Sequence, residues 1–229
     1  MKLLKYMNER GGIAAPLVTK EDFWKDGGDD IFDNCTPFIN ELKKAGELLL
    51  RGTKKRLLKD INLVETRTDR HPLSSSVQFH DYCDLYLGKK FGWYPRSGGV
   101  FTKSGDTDGY GTSYIIFIPG ELKYIWSPMV YDLFSLNSFF KISKKIVDES
   151  QLILMNYSVS IASPFPKHLI GKTVGDVLDF ALDSYIDNDL GGAVKSAHEI
   201  MFKCNNYYMV KNKHRDRLYK RIFLGGGVS

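Results

Sequence analysis

Apolar and polar positions along the chain alternate with two periods, and the helical one is clearest near the C-terminal third. Val174, Val177, Leu178, Ala181, Leu182 and Tyr185 fall on one stripe, while Asp176, Asp179, Asp183 and Asp187 share the opposite side. That spacing predicts an amphipathic helix with a solvated acidic face. An earlier helix opens at Thr36-Pro37, with threonine suited to the cap and proline to the first helical position, and Gly46 stands where a left-handed stop belongs. Ser74, Ser75 or Ser76 caps another, with Phe79, Cys83, Tyr86 and Leu87 on one face and Gly88 or Gly92 at its end. Residues 129–146 also read as helical.

Short apolar runs predict the strands. These are Glu47 to Arg51, Val100 to Ser104, Ser113 to Ile118, Leu122 to Trp126, Gln151 to Ile161, Glu199 to Phe202, Tyr207 to Val210 and Leu218 to Leu224. Pro119-Gly120 between the third and fourth predicts a hairpin. Lys211 to Arg217 reads as a charged hairpin tip between the last two. Asp189-Leu190-Gly191-Gly192 breaks the acidic-faced helix and opens a loop into Glu199. Residues 1–33 are irregular, punctuated by Gly11-Gly12 and Gly27-Gly28 and anchored by Phe23 and Trp24, so residues 1–35 are expected to form an arm and residues 36–229 one domain. Strands not spaced as βαβ units give an α+β class with mostly antiparallel sheets and flanking helices.

Composition narrows this picture only a little. The 32 Lys+Arg against 27 Asp+Glu give a net charge of +5, which permits an anionic partner without demanding one. Cys35, Cys83 and Cys204 are an odd set without paired spacing, which argues for a reducing compartment and against a disulfide framework. No Cys/His spacing suggests a zinc site. With no apolar run long enough to span a bilayer and no signal-like start, a soluble intracellular protein without membrane contact is expected.

Candidate chemistry lies at three strand ends. Leu48-Leu49-Leu50 delivers Arg51, and Gly52 beside it admits a ligand or a second backbone. Thr102 and Ser104 alternate along a second strand, and Glu199 heads a third. Cleaving a glycosidic bond to a good leaving group needs a carboxylate beside the anomeric carbon and cations at any phosphates. Arginine suits phosphate because its planar fork makes paired charge-assisted hydrogen bonds. Each residue also has a structural reading: Arg51 can pair a buried carboxylate, and Glu199 can be a solvated edge charge. His71, His80 and His198 have no visible orienting partner that would mark a general base. Lys211 to Arg217, with Tyr207, Tyr208 and Tyr219 beside it, is either a solvated tip or a grip on a nucleic-acid backbone.

Leu50-Arg51-Gly52, then Val100-Phe101-Thr102-Lys103-Ser104, then Glu199-Ile200 followed by Tyr207-Tyr208 resembles the R-S-E class of ADP-ribosyltransferases. The stretches Phe91-Gly92 to Phe101 and Tyr110-Gly111 to Gly120 resemble small ADP-ribosyltransferase-like proteins of bacteriophages. The resemblance implies a split, mostly antiparallel sheet fold and NAD as co-substrate. Arg51, with Gly52, would hold the NAD phosphates and ribose. Thr102 would orient the catalytic glutamate, and Ser104 matches the motif's last hydroxyl. Glu199 would stabilise the oxocarbenium-like transition state, and Phe101 or Tyr110 would stack on nicotinamide. Its implied partners are a host protein acceptor or, as a catalytically inactive fold, phage structural proteins of the virion, in the cytoplasm of a bacterial host cell. Two positions depart from the pattern. Lys103 replaces a small hydroxyl residue, and Ala197 stands where arginine-modifying members carry a second glutamate. The second departure leaves another acceptor, NAD hydrolysis or lost chemistry open.

Overall fold

The computed structural model describes residues 27–70, 75–107, 109–137, 146–150, 152–153 and 165–225. Residues 1–26 of the arm expected over 1–35, His71, residues 138–145 of the helix expected over 129–146 and all but 152–153 of the strand expected over 151–161 lie outside the described residues. Among the described residues the chain runs through helices α1 (Asp29–Asn34) and α2 (Thr36–Ala45), strands β1 (Leu50–Thr53) and β2 (Ile61–Glu65), helices α3 (Val77–Phe91) and α4 (Pro95–Gly98), strands β3 (Gly99–Thr102), β4 (Thr112–Phe117) and β5 (Lys123–Trp126), and a 3-10 turn at Leu133–Leu136. Then come α5 (Val174–Asp183), α6 (Leu190–Ser196), β6 (Ile200–Lys203), β7 (Asn206–Lys211), a 3-10 turn at Asn212–His214 and α7 (Arg215–Phe223).

The strands form a four-stranded sheet in the order β1-β4-β7-β2 and a three-stranded sheet in the order β3-β6-β5, all pairs antiparallel. The α+β class with antiparallel sheets is therefore as the pattern predicts. The sheets meet where β1 touches the end of β3: Leu50 N–H donates to the Lys103 carbonyl at 2.7 Å, and Lys103 N–H returns to the Leu50 carbonyl at 3.0 Å.

Period-two alternation sorts side chains into two cores. Val100, Trp126, Ile200 and Phe202 pack with β1, β4, β7 and helices α1, α2, α6 and α7; Ile125 and Met201 point the other way, against α3 and α5. Buried on both faces, β6 is apolar throughout until Lys203. Gly46 and Gly92 terminate α2 and α3 in the left-handed region, and Ser76 caps α3 by accepting from Phe79 N–H at 3.2 Å. Helix α5 opens with a capping box between Thr173 and Asp176.

Several expectations are corrected. Residues 29–34 are helical, with Ile31 fully buried, and Thr36 belongs to α2 and donates to the Phe32 carbonyl rather than capping. β4 and β5 form no hairpin, because the chain crosses from one sheet to the other after Gly120. Residues 190–196 are helix rather than loop: Asp189 accepts from Gly192 N–H at 2.9 Å, and Ala193 and Val194 are fully buried. Leu218 to Leu224 is not a strand and Lys211 to Arg217 is not a hairpin tip. Leu218 and Ile222, four apart, bury one face of α7. The acidic side of α5 faces solvent at Asp176, Asp183 and Asp187 as expected, while Asp179, half-buried, accepts from the Tyr82 phenol. Near the middle of the chain, residues 133–136 form a 3-10 turn and residues 152–153 are helical.

Candidate functional site

Strands β1, β3 and β6 carry the three residue types singled out in the sequence, and they lie side by side. Arg51 Nη1 donates to the Phe101 carbonyl at 2.9 Å, so the guanidinium spans the junction of the two sheets. Its carbon also lies 5.8 Å from the Tyr207 ring centroid. The β3–β6 register sets Phe101 against Met201 and Thr102 against Ile200. Glu199, immediately before β6, therefore shares a face with Phe101 and Met201.

Two further arginines converge there. Arg70 sits 4.7 Å over the Phe101 ring, and Arg96 lies 5.5 Å from the same centroid. None of Arg51, Arg70 and Arg96 forms an ion pair with a carboxylate among the described residues. Burial, then the like charges of Arg51 and Arg96, pull Arg70 down to about 10 against the opposing influence of Tyr207 and Glu199. Arg96 is buried with its Nε unpartnered among the described residues.

Glu199 is a carboxylate that Arg96 and Arg70 reach electrostatically, with Asp132 adding a second negative charge beside it. Its N–H is tied to the Tyr131 carbonyl at 2.8 Å, and the backbone N–H of Leu133 steadies the carboxylate. Oε1 is shut off from solvent and has no hydrogen-bond partner among the described residues; the same holds for the Tyr185 hydroxyl. Burial, followed by the charge of Asp132, pushes the Glu199 carboxyl up to about 8, although Arg96 and Arg70 pull it down. The Tyr185 phenol is raised well above its ordinary value by burial and by Glu199.

Arg96 is set in place by a carboxylate from another helix. Asp84 of α3 accepts from Arg96 N–H at 2.7 Å and Ser97 N–H at 3.2 Å, satisfying the first turn of α4, and also takes the Ser97 hydroxyl. His80 Nε2 lies 3.1 Å from that hydroxyl. His198 donates from Nδ1 to the Ser127 carbonyl at 2.7 Å and packs edge-on to Trp126 and Tyr131. Both histidines are thus held in structural contacts.

Not every expected residue joins the cluster. Thr102 lies on the opposite face from Glu199, and its hydroxyl donates to the Ile200 carbonyl at 3.4 Å. Ser104 donates to the Val194 carbonyl of α6 at 2.5 Å. The strand period explains both: residues 102 and 104 alternate with Phe101, whose face Glu199 shares, while Lys103 turns toward Tyr131 and reaches its hydroxyl at 2.5 Å. Gly52 admits a second backbone rather than a ligand, because an added Cβ would lie 2.3 Å from the Tyr110 carbonyl oxygen. Tyr110 therefore covers the face of β1 opposite Arg51 and is remote from a nicotinamide stacking role. The Phe101 ring is engaged by guanidinium groups instead. Nothing in the sequence singled out Arg70 and Arg96; an arginine beside Pro95 at a helix start was the only local signal. Elsewhere, an open groove of about 580 Å³ is lined by Glu41, Lys44, Tyr124, Asp189 and Lys195, none of them in the cluster.

Three partly or fully buried guanidinium groups form no ion pair among the described residues, although Glu199, Asp84 and Asp132 supply negative charge nearby. Such a cluster fits a polyanionic group, and a diphosphate has the appropriate charge and oxygen geometry. Among the described residues no group of His, Cys, Asp and Glu could hold a metal ion, and no helix is long and apolar enough to cross a membrane. No family model, curated protein or solved structure matches the chain.

Proposed function

We propose that the protein is an ADP-ribosyltransferase-like enzyme that cleaves NAD and transfers ADP-ribose to a host macromolecule, with a protein as the favoured acceptor. In this reading the two sheets joined at Leu50 and Lys103 are the split of that fold. The supporting observation is the gathering of Arg70 and Arg96 over Phe101, with Arg51 on the Phe101 carbonyl beside Arg70 and the buried carboxylate Glu199 within electrostatic reach of Arg96 and Arg70.

Arg51 and Arg70 would bind the diphosphate of NAD, with Arg96 supporting Glu199. As the bond from the ribose C1′ to the nicotinamide nitrogen breaks, its electron pair leaves with nicotinamide and neutralises the pyridinium. Glu199, ionised, would stabilise the positive charge left on the ribose. The acceptor then bonds to C1′ and releases its proton. Transfer of label from adenine-labelled NAD to proteins of a bacterial lysate tests this reading, and absence of both transfer and nicotinamide release counts against it.

A second reading has its own support. Ala197 occupies the position of a second acidic residue, and the Thr102 and Ser104 hydroxyls are committed to backbone carbonyls. Both suit a fold without catalysis, used as a phage structural protein. That reading expects no NAD binding by calorimetry and stoichiometric presence in particles.

A further inference from the structure

The corrected C-terminus brings together two basic segments that are far apart in sequence. Asp60, at the end of the β1–β2 connection, accepts from Lys211 at 3.1 Å, Lys213 at 2.6 Å and His214 at 2.9 Å. Lys211 also reaches the Leu58 carbonyl at 2.8 Å, and Leu57 N–H donates to the Tyr114 hydroxyl at 3.1 Å. These bonds fasten the loop holding Lys54, Lys55, Arg56 and Lys59 against the β7–α7 corner, with all four side chains exposed. Burial raises the Asp60 carboxyl, but the hydrogen bonds from Lys213, His214 and Lys211 outweigh it and hold the group well below the usual carboxylate range.

Charge is concentrated here. Residues 54–60 and 211–221 contain ten Lys and Arg against Asp60 and Asp216, a net +8, so the remainder of the +5 chain carries −3. Arg215 pairs with Glu47, and Arg221 pairs with Asp29. Lys54, Lys55, Arg56, Lys59 and Lys220 form no ion pair among the described residues and remain exposed.

We propose that this surface, running from the Lys54–Lys59 loop across the Asp60 clamp onto α7, binds the phosphate backbone of a nucleic acid. A row of cations on separate segments matches an anion that repeats at regular intervals, which a nucleic-acid backbone supplies every few ångströms, about 3.4 Å per strand. An anionic bilayer is a poorer match, because within residues 54–60 and 211–221 the large apolar side chains that stand out are Leu58 and, to a lesser degree, Tyr219. The proposal does not rest on NAD chemistry, since none of these residues touches the arginine–glutamate cluster in any contact described above.

Fluorescence anisotropy of the full chain with labelled single-stranded RNA, single-stranded DNA and duplex DNA provides the test. Binding should weaken steeply with salt, with a log–log slope of about −0.7 to −0.9 for each phosphate contacted. The double variant Lys54→Glu/Arg56→Glu should lose about tenfold or more in affinity at low salt and flatten that slope, with an unchanged melting temperature because both side chains are exposed. The single variant Lys220→Ala should flatten the slope by about one contact or less. Absence of binding by every oligonucleotide at low salt would overturn the proposal, as would unaltered affinity in the double variant. Equal or tighter binding to polyglutamate or to phosphatidylserine vesicles would overturn it as well, assigning the surface to an acidic protein or a membrane.

Discussion

Arg51 donates to the Phe101 carbonyl at 2.9 Å, and this one bond ties the guanidinium of the four-stranded sheet to the backbone of the three-stranded one. The arginine is therefore both a ligand candidate and part of the sheet junction. Lysine in its place keeps the charge but loses the planar fork. Arg51→Lys should weaken NAD binding by on the order of tenfold, and melting should fall as a charged hydrogen bond worth about 1.5–3 kcal/mol is compromised. Calorimetric titration with NAD alongside thermal melting separates the two effects.

Glu199 is the clearest case of a group held against its own stability. Its carboxyl binds a proton up to about pH 8 in the folded protein, whereas the unfolded chain releases it near the ordinary value of 4.5. Between those values the native state holds more protons than the unfolded state, so this group's contribution to stability falls as pH rises. Glu199→Gln removes the titration while keeping the shape. The variant should melt higher than wild type, by little at pH 5 and by several degrees at pH 8, since a few pKa units at about 1.4 kcal/mol each set the upper limit. A melting difference that does not change with pH would mean the carboxyl is not shifted.

The same shift predicts a pH profile. If the ionised carboxylate does the work, kcat/KM for nicotinamide release should climb on the way to about pH 8 and level off above it. Arg96 lowers the Glu199 pKa, so Arg96→Gln should move that limb to higher pH. A merely structural role for Arg96 would reduce the amplitude and leave the limb in place.

Arg70 offers a complementary test. It lies over Phe101 and beside Arg51 and Arg96, without an ion pair among the described residues. Arg70→Ala should raise KM for NAD by on the order of tenfold, as loss of a charge-assisted phosphate contact does, and should spare stability or improve it by easing like-charge repulsion. Unchanged KM would remove Arg70 from the binding site.

Gly52 sits where backbone meets backbone. A methyl group there would lie 2.3 Å from the Tyr110 carbonyl oxygen, and neither partner is a flexible side-chain end. Gly52→Ala should cost about 1–3 kcal/mol, read as a lower denaturation midpoint, the cost of overpacking at a rigid contact. Gly46→Ala would act differently, through its left-handed φ of 81° rather than a clash.

The elements legible in the sequence were those whose local chemistry agrees with their packing. Thr36 to Gly46, Ser76 to Gly92 and the stripe from Val174 each carry a period together with a stop or cap. The apolar runs ending in Arg51 and opening after Glu199 were readable because Leu48, Leu49 and Leu50 and the first three residues of β6 are buried. Elsewhere, tertiary contacts outweighed local preference. Gly191 and Gly192 are poor helix formers, yet Asp189 caps them and Ala193 and Val194 pack into the core. Leu218 and Ile222 have helical spacing, but the segment is too short for that period to stand out until the two side chains bury one face of α7. For the site, Arg51 and Glu199 stood out from their strand ends, whereas Arg70 and Arg96 became visible only when folding brought a loop and a four-residue helix over Phe101. The roles expected of Thr102 and Ser104 did not anticipate strand period, which turns both hydroxyls from the face shared by Phe101 and Glu199.

The most direct measurement is nicotinamide release from NAD by wild type and by Glu199→Gln, with folding of both verified by melting. A guanidinium-bound dinucleotide facing an essential carboxylate predicts measurable release by wild type and a loss on the order of a hundredfold or more in the variant. Equal rates in the two proteins, or no release and no NAD binding by wild type, would contradict it.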